Sequence, residues 1–341
     1  MPNFRTKEKE RYTTIKNQLF SLEAQAPGLY NRIPRPFCLA DQCSSENLHE
    51  SVREQAISYF KYRNITWHDG LQKGTMPSNH MCCSQSCCVN FLFPMADNSK
   101  LLKAVFNHLY PDMTEVMPFY LDGTLPDGSP VYMAFEWIGE EDYLGEHEGK
   151  HGFRTRGANY TSADFTFRFK EKDDKVHIVL GEWKYTEEYG YKDYLKPMNI
   201  KDRKPEVRYR TYKSAFTKPG GIFSGWNDEF YRGLFFEPFY QLMRLQLLAQ
   251  KMEDNKEMGA NIVSVLHISP EANTVLRNRV TSLYLVENFK GEGIYEIWKE
   301  ILHKNRFKDT SAEKLLDIII RQDKYADKNW LYHLKLRYSF C

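Results

Sequence analysis

Asp164, Glu182 and Lys184 carry the chemistry that is easiest to read in this chain. The run VHIVLGEWKYTE, residues 176–187, takes an apolar stretch into Glu-x-Lys, and SADFTFRFK, residues 162–170, holds Asp164 near its start. Strand side chains alternate faces with a period of two. Glu182 and Lys184 therefore share a face, about 7 Å apart along the strand at ~3.3 Å per residue, and Trp183 points the other way. A short turn at 171–175, where Asp173-Asp174 suits a reversal, makes the two strands antiparallel neighbours. Residues 164 and 182 are symmetric about 173, so strict register sets Asp164 opposite Glu182, roughly 5 Å away. Two carboxylates that close need a cation, or one of them must keep its proton. Magnesium fits, because it takes oxygen ligands and is often held by one or two carboxylates plus substrate phosphates. Lys184 beside it would orient or activate water, or stabilise a pentavalent phosphate, which is metal-assisted phosphodiester hydrolysis. The plain alternative is a solvated Glu/Lys pair ending a strand. The register of Asp164 and the apolar character of the second strand weigh against it.

The elements that must position these residues follow from periodicity. Helices are expected over 4–24, 46–62, 84–93 (ending before Pro94) and 100–109, the last capped by Asn98 or Ser99. Strands are expected at 131–137, 162–170 and 176–185, then a helix over 237–253 with Pro238 in its first turn, and a buried strand at 260–268. Two more helices, near 295–303 and 312–321, precede an ambiguous terminal stretch. The order predicts an α/β sheet covered by helices: one domain over 1–341, with a helical part at 1–112, a catalytic core at 113–270 and a C-terminal helical extension at 271–341.

Composition narrows the class. Hydrophobic residues at 42% and charged residues at 27% are ordinary for a soluble protein, so the chain is neither disordered nor fibrous. The first dozen residues are charged and lack an apolar core, so no signal peptide is expected; no apolar run reaches bilayer length. Seven cysteines, an odd number, favour reduced thiols in a cytoplasm. Cys82, Cys83, Cys87 and Cys88, near His80, do not match zinc spacing and read as buried small side chains on a helix.

Asp…Glu-x-Lys on adjacent strands, followed by a helix and another strand, resembles the PD-(D/E)XK nuclease superfamily, whose core is α-β-β-β-α-β. RGANYTSADFTFRF and IVLGEWKYTE, with SQSCCVNFLFP upstream and YQLMRLQLLA downstream, are similar to a family of type II-like restriction endonucleases within it. The resemblance covers roughly residues 45–270, and it departs from the pattern in having Ala163 where the name-giving proline stands. It implies that Asp164 and Glu182 bind Mg2+, with Mn2+ able to substitute, and that Lys184 serves catalysis. The superfamily often adds a further acid; Glu136, Glu50 and Glu54 are the candidates. It also implies that Gln241 and Arg244, three apart and so on one face of the 237–253 helix, reach the substrate. Ser84 and Gln85 read as the N-cap of their helix.

Residues 192–218 hold nine Lys/Arg against three acids, in a chain of net charge +2, with Tyr194, Tyr209, Tyr212 and Phe216 interleaved. Cations supply phosphate affinity and aromatics stack on bases. Arg208 and Arg210 from this segment, with Arg154 and Arg156 ahead of the Asp164 strand, are therefore candidate phosphate contacts. The expected function is a magnesium-dependent endonuclease acting on DNA, in restriction or phage defence, in the cytoplasm and without a membrane. RNA as substrate and a homodimer stay open, and the rival reading is a catalytically silent nucleic-acid-binding module of the same fold.

Overall fold

A computed structural model describes residues 2–147, 151–157, 160–338 and 340. Its centre is a six-stranded mixed sheet: β1 (Met113–Met117), β2 (Met133–Trp137), β3 (Ala163–Glu171), β4 (Val176–Trp183), β5 (Ile262–Ser269) and β6 (Phe307–Ser311). β3 and β4 form the expected antiparallel hairpin, and β1 and β2 share the outer edge of β3, one along each half of its length. β5 runs parallel to β4, and β6 parallel to β5.

The helices that matter to the sheet are α1 (Phe4–Leu19), α2 (Glu50–Tyr62), α3 (Ser84–Leu92), α4 (Ser99–Phe106), α5 (Lys204–Phe216) and α6 (Phe239–Asp254). Asn98 caps α4 by accepting from Leu101 N–H, as its sequence predicts. The alternation of β3 puts Phe165, Phe167 and Phe169 on one face, all fully buried. Phe106 of α4 meets two of these rings, at 6.2 and 4.8 Å between centroids, and Phe91 of α3 packs on Trp183 at 4.8 Å. The other face carries Asp164 and Glu182. α6 packs on β5 and brings Leu245 to the cleft floored by Asp164.

Three elements depart from the sequence expectation. β1 (MTEVM) and β6 (FKDTS) are short; β1 spaces its apolar residues at 113, 116 and 117 and β6 has only Phe307, so neither shows the alternation of a strand. α5 lies inside the stretch that reads as a polar segment, because it buries only Pro205, Tyr212, Ala215 and Phe216. The C-terminal region is more than a helical extension. It supplies β6, and its last helix, Lys328–Arg337, returns to the N-terminal half, where Trp330 Nε1 donates to Asn90 O (2.7 Å) and Arg337 Nη1 to Asn47 O (2.7 Å). Cys82, Cys83, Cys87 and Cys88 are buried free thiols. Among the described residues no helix is long and apolar enough to cross a membrane.

Gly181 is fixed by the packing of the hairpin. It lies opposite Phe165, and a Cβ there would sit 2.1 Å from Phe165 Cζ. Gly181→Ala must therefore displace the ring from a filled core, at a cost of about 1–3 kcal/mol. A thermal melt should show a clear fall in Tm, and an unchanged Tm would mean the ring has room to move.

Candidate active site

The hairpin register sets the site. Phe165 pairs with Gly181, which places Asp164 across from Glu182. On the other side of β3, the pairs Phe135–Phe165 and Trp137–Ala163 bracket Glu136 opposite Asp164. Glu182 in turn pairs with His267, and His267 with Asp309. One polar row thus crosses five strands, with Glu136, Asp164 and Glu182 adjacent.

Glu136 holds this position at a backbone cost. Its φ of 51° lies in the left-handed region, and the ladder between β2 and β3 is interrupted there. Arg156 braces the distortion. Its guanidinium donates to the carbonyls of Phe135 and Glu136 and to Asp122, itself bonded by Tyr59. The Glu136 carboxylate accepts from Gln85 Nε2 (2.7 Å) and Ser162 Oγ (2.8 Å). Gln85 therefore supports the site instead of capping α3, whose N-cap is Cys83. Ser84, likewise expected as a cap, bonds Glu187.

Glu182 is 1% exposed. Its Oε1 is ion-paired with Lys184 Nζ at 2.6 Å, yet among the described residues neither carboxylate oxygen has a hydrogen-bond partner. Asp164 Oδ2 accepts Trp183 N–H (2.7 Å). Burial, then the charge of Glu182 and more weakly that of Glu136, pushes the Asp164 carboxyl well above its ordinary range, although Lys184 works the other way. Burial also disfavours charge on Lys184, but the fields of Glu182, Tyr189 and Asp164 outweigh it and hold the ammonium well above the usual lysine pKa. The backbone of Lys184 is tied to β5 through its N–H to Ile268 O (2.8 Å).

These features fit a divalent cation. A buried carboxylate whose Oε1 meets only the Lys184 ammonium and whose Oε2 has no donor among the described residues, beside a second carboxylate that resists ionisation, is what an oxygen-seeking ion would relieve. Among the described residues no group of three or more His, Cys, Asp or Glu side chains is arranged to hold an ion. Asp164 and Glu182 are the carboxylates that would hold such an ion.

Asp164 and Lys184 open onto a cleft of about 1290 Å³. α6 contributes Gln241 and Arg244 to it, and the segment around the start of α5 contributes Lys201, Arg203, Lys204 and Arg208. Gln241 is held by Tyr189 OH (3.3 Å), and Arg244 lies 4.8 Å from the centre of the Tyr240 ring. Nε of Arg244 is buried without a hydrogen-bond partner among the described residues. Tyr240 stacks on Tyr194 at 4.7 Å. Tyr189 and Glu237 also line the cleft; neither stands out in the sequence, since their loop and helix start carry no periodic signal.

Other candidates fall elsewhere. Glu50 and Glu54 are exposed on α2, away from the cleft. Arg210 is exposed and ion-paired with Glu206, one turn back on α5. Arg154 spends its guanidinium on the carbonyls of Ile138, Gly139 and Glu140, and Arg156 is buried beneath Glu136. Both arginines brace backbone; neither points a free guanidinium at a phosphate.

The model of a family described as "Restriction Endonuclease associating with ARP" matches residues 9–339. No curated protein matches the chain, and no solved structure matches it.

The raised pKa of Asp164 has a stability consequence for the metal-free protein. A carboxyl whose folded pKa lies above its unfolded value of about 3.9 stabilises the fold at low pH and loses that contribution as pH rises through the folded value. Asp164→Asn removes the loss. In EDTA the variant should melt higher than the wild type at pH 8, and the difference should shrink toward pH 4. Equal melting temperatures across this range would mean that Asp164 ionises without penalty.

Proposed function

The chain belongs to this restriction-endonuclease family, and from that premise we propose that it is a Mg2+-dependent endonuclease of the PD-(D/E)XK type that hydrolyses phosphodiester bonds of DNA. The observation that carries the reading is the register of Asp164 against Glu182, with Lys184 ion-paired to Glu182 at 2.6 Å. Magnesium bound there would neutralise the phosphate and lower the pKa of a water. Asp164 and Glu182 are the residues that would hold it.

The roles of the remaining side chains follow from their surroundings. Lys184 keeps its proton in this field, so it acts by charge. Its ammonium stabilises the phosphate as negative charge develops, and it is a poor base. Gln85 and Ser162 fix Glu136 beside Asp164, which keeps the local field negative and favours a cation. Lys201, Arg203, Lys204 and Arg208 on one wall, with Arg244 on the other, receive the phosphate backbone. The Tyr194–Tyr240 stack beneath Arg208 and Arg244 orders these guanidinium groups.

The direct test is cleavage of plasmid DNA with magnesium and with EDTA. Lys184→Ala should lower cleavage by about two or more orders of magnitude while DNA binding survives. Cutting at the wild-type rate would reduce Lys184 to a strand-end residue. The two arginines of α5 should separate. Arg208→Ala should flatten the salt dependence of DNA binding by about one unit of slope, and Arg210→Ala, at an exposed Glu206 pair, should leave it unchanged. The same slope for both variants would remove α5 from the binding wall.

A further inference from the structure

A second concavity, of about 450 Å³, lies behind the segment that borders the cleft. Residues 187–189 are the ridge between the two: Glu187 and Tyr189 line the cleft, and Glu188 lines the second groove. Its other walls are the first turns of α1, with Arg5 and Lys9, and a two-stranded ribbon, Gly28–Tyr30 against Ile33–Arg35, which ends in Arg35. The ribbon is held in place. Leu29 N–H donates to Asp41 Oδ1 (2.8 Å), and Gly28 sits so close to Leu39 O that a Cβ would come within 1.8 Å of it.

Three cations meet in this groove against a single carboxylate, that of Glu188. Among the described residues Arg5, Lys9 and Arg35 make no ion pair, and Arg35 Nε is buried with no hydrogen-bond partner. Among the same residues Glu188 is the one acid lining the groove, and Asn3 Nδ2 donates to its Oε2 at 3.0 Å. Lys9 lies 4.5 Å from the centre of the Phe37 ring. Burial, then the neighbouring charges of Arg5 and Arg35, lower the pKa of Lys9, so the like charges lie within each other's field. One carboxylate does not balance three cations, and the excess positive charge favours a further anion.

We propose that Arg5, Lys9 and Arg35 form a second phosphate-binding surface, which holds the backbone of the DNA flank that crosses the 187–189 ridge out of the cleft. The inference rests on the nuclease reading of the cleft. The ligand is the phosphodiester backbone, since the groove gathers an excess of cationic side chains, the groups that supply phosphate affinity. A duplex short enough to lie within the cleft does not reach this surface, and a longer one does.

The test is binding of a labelled duplex of about 30 base pairs, in EDTA so that nothing is cut, across a salt series, for the wild type and an Arg5→Ala/Lys9→Ala/Arg35→Ala variant. The slope of log K against log salt should fall by about 0.9 for each phosphate that the variant no longer neutralises, close to three units in all. A duplex of about 8 base pairs should bind both proteins alike. If the triple variant melts early, Arg5→Gln/Lys9→Gln carries the same test with a fall of about two units. An unchanged slope on the long duplex overturns the second surface and leaves the nuclease reading intact. A wild-type protein that binds no DNA of either length overturns both.

Discussion

The carboxylates of Glu136, Asp164 and Glu182, side by side in the middle of a sheet, set the terms for much of this fold. Desolvation penalises each negative charge, and each raises the cost of the next. The protein meets that cost with specific partners. Lys184 returns to Glu182 from two residues away on the same face. Gln85 and Ser162 hold Glu136, and Trp183 N–H holds Asp164. Arg156 then secures the backbone turn that directs Glu136 toward the row. The groups that brace the row come from α2, α3, the loop before β3 and the end of β4. The N-terminal helices and the sheet are therefore parts of one structure around one charge problem.

The end of β4 is held from a second direction. Tyr185, directly after Lys184, hydrogen-bonds Glu8 and Tyr12 of α1 through its hydroxyl, and Asn273 Nδ2 donates to Tyr185 O at 3.1 Å. Lys184 thus sits between a tied residue and β5, and its ammonium has little freedom except toward Glu182 and the cleft. Under the proposed nuclease function such positioning would serve electrostatic catalysis, because a charge that must reorganise during the reaction contributes less.

Much of the central site is legible in the chain. The period of two and the symmetry about residue 173 suffice to place Asp164 against Glu182, because a hairpin with a short turn leaves little choice of register. The phenylalanine alternation of β3 and the apolar run of β4 assign the faces. Glu136 stands out only as one acid among several, since the left-handed backbone that brings it opposite Asp164 leaves no mark in local composition. The arginines mislead for a related reason: Arg154 and Arg156 look like phosphate contacts in sequence, but free backbone carbonyls in three dimensions claim them first. β1 and β6 are invisible because they are five-residue edge strands, one with its apolar residues out of alternation and the other with a single apolar residue, and α5 because its buried stripe is narrow.

The central claim is that Asp164 and Glu182 together hold a divalent cation, and diffraction from crystals soaked in manganese tests it most directly. The account predicts an anomalous peak within about 2.0–2.4 Å of an oxygen of each carboxylate, with Lys184 turned from Glu182 toward the cleft. A peak bound only elsewhere, or the Lys184–Glu182 pair unchanged and no ion beside it at saturating manganese, would contradict it.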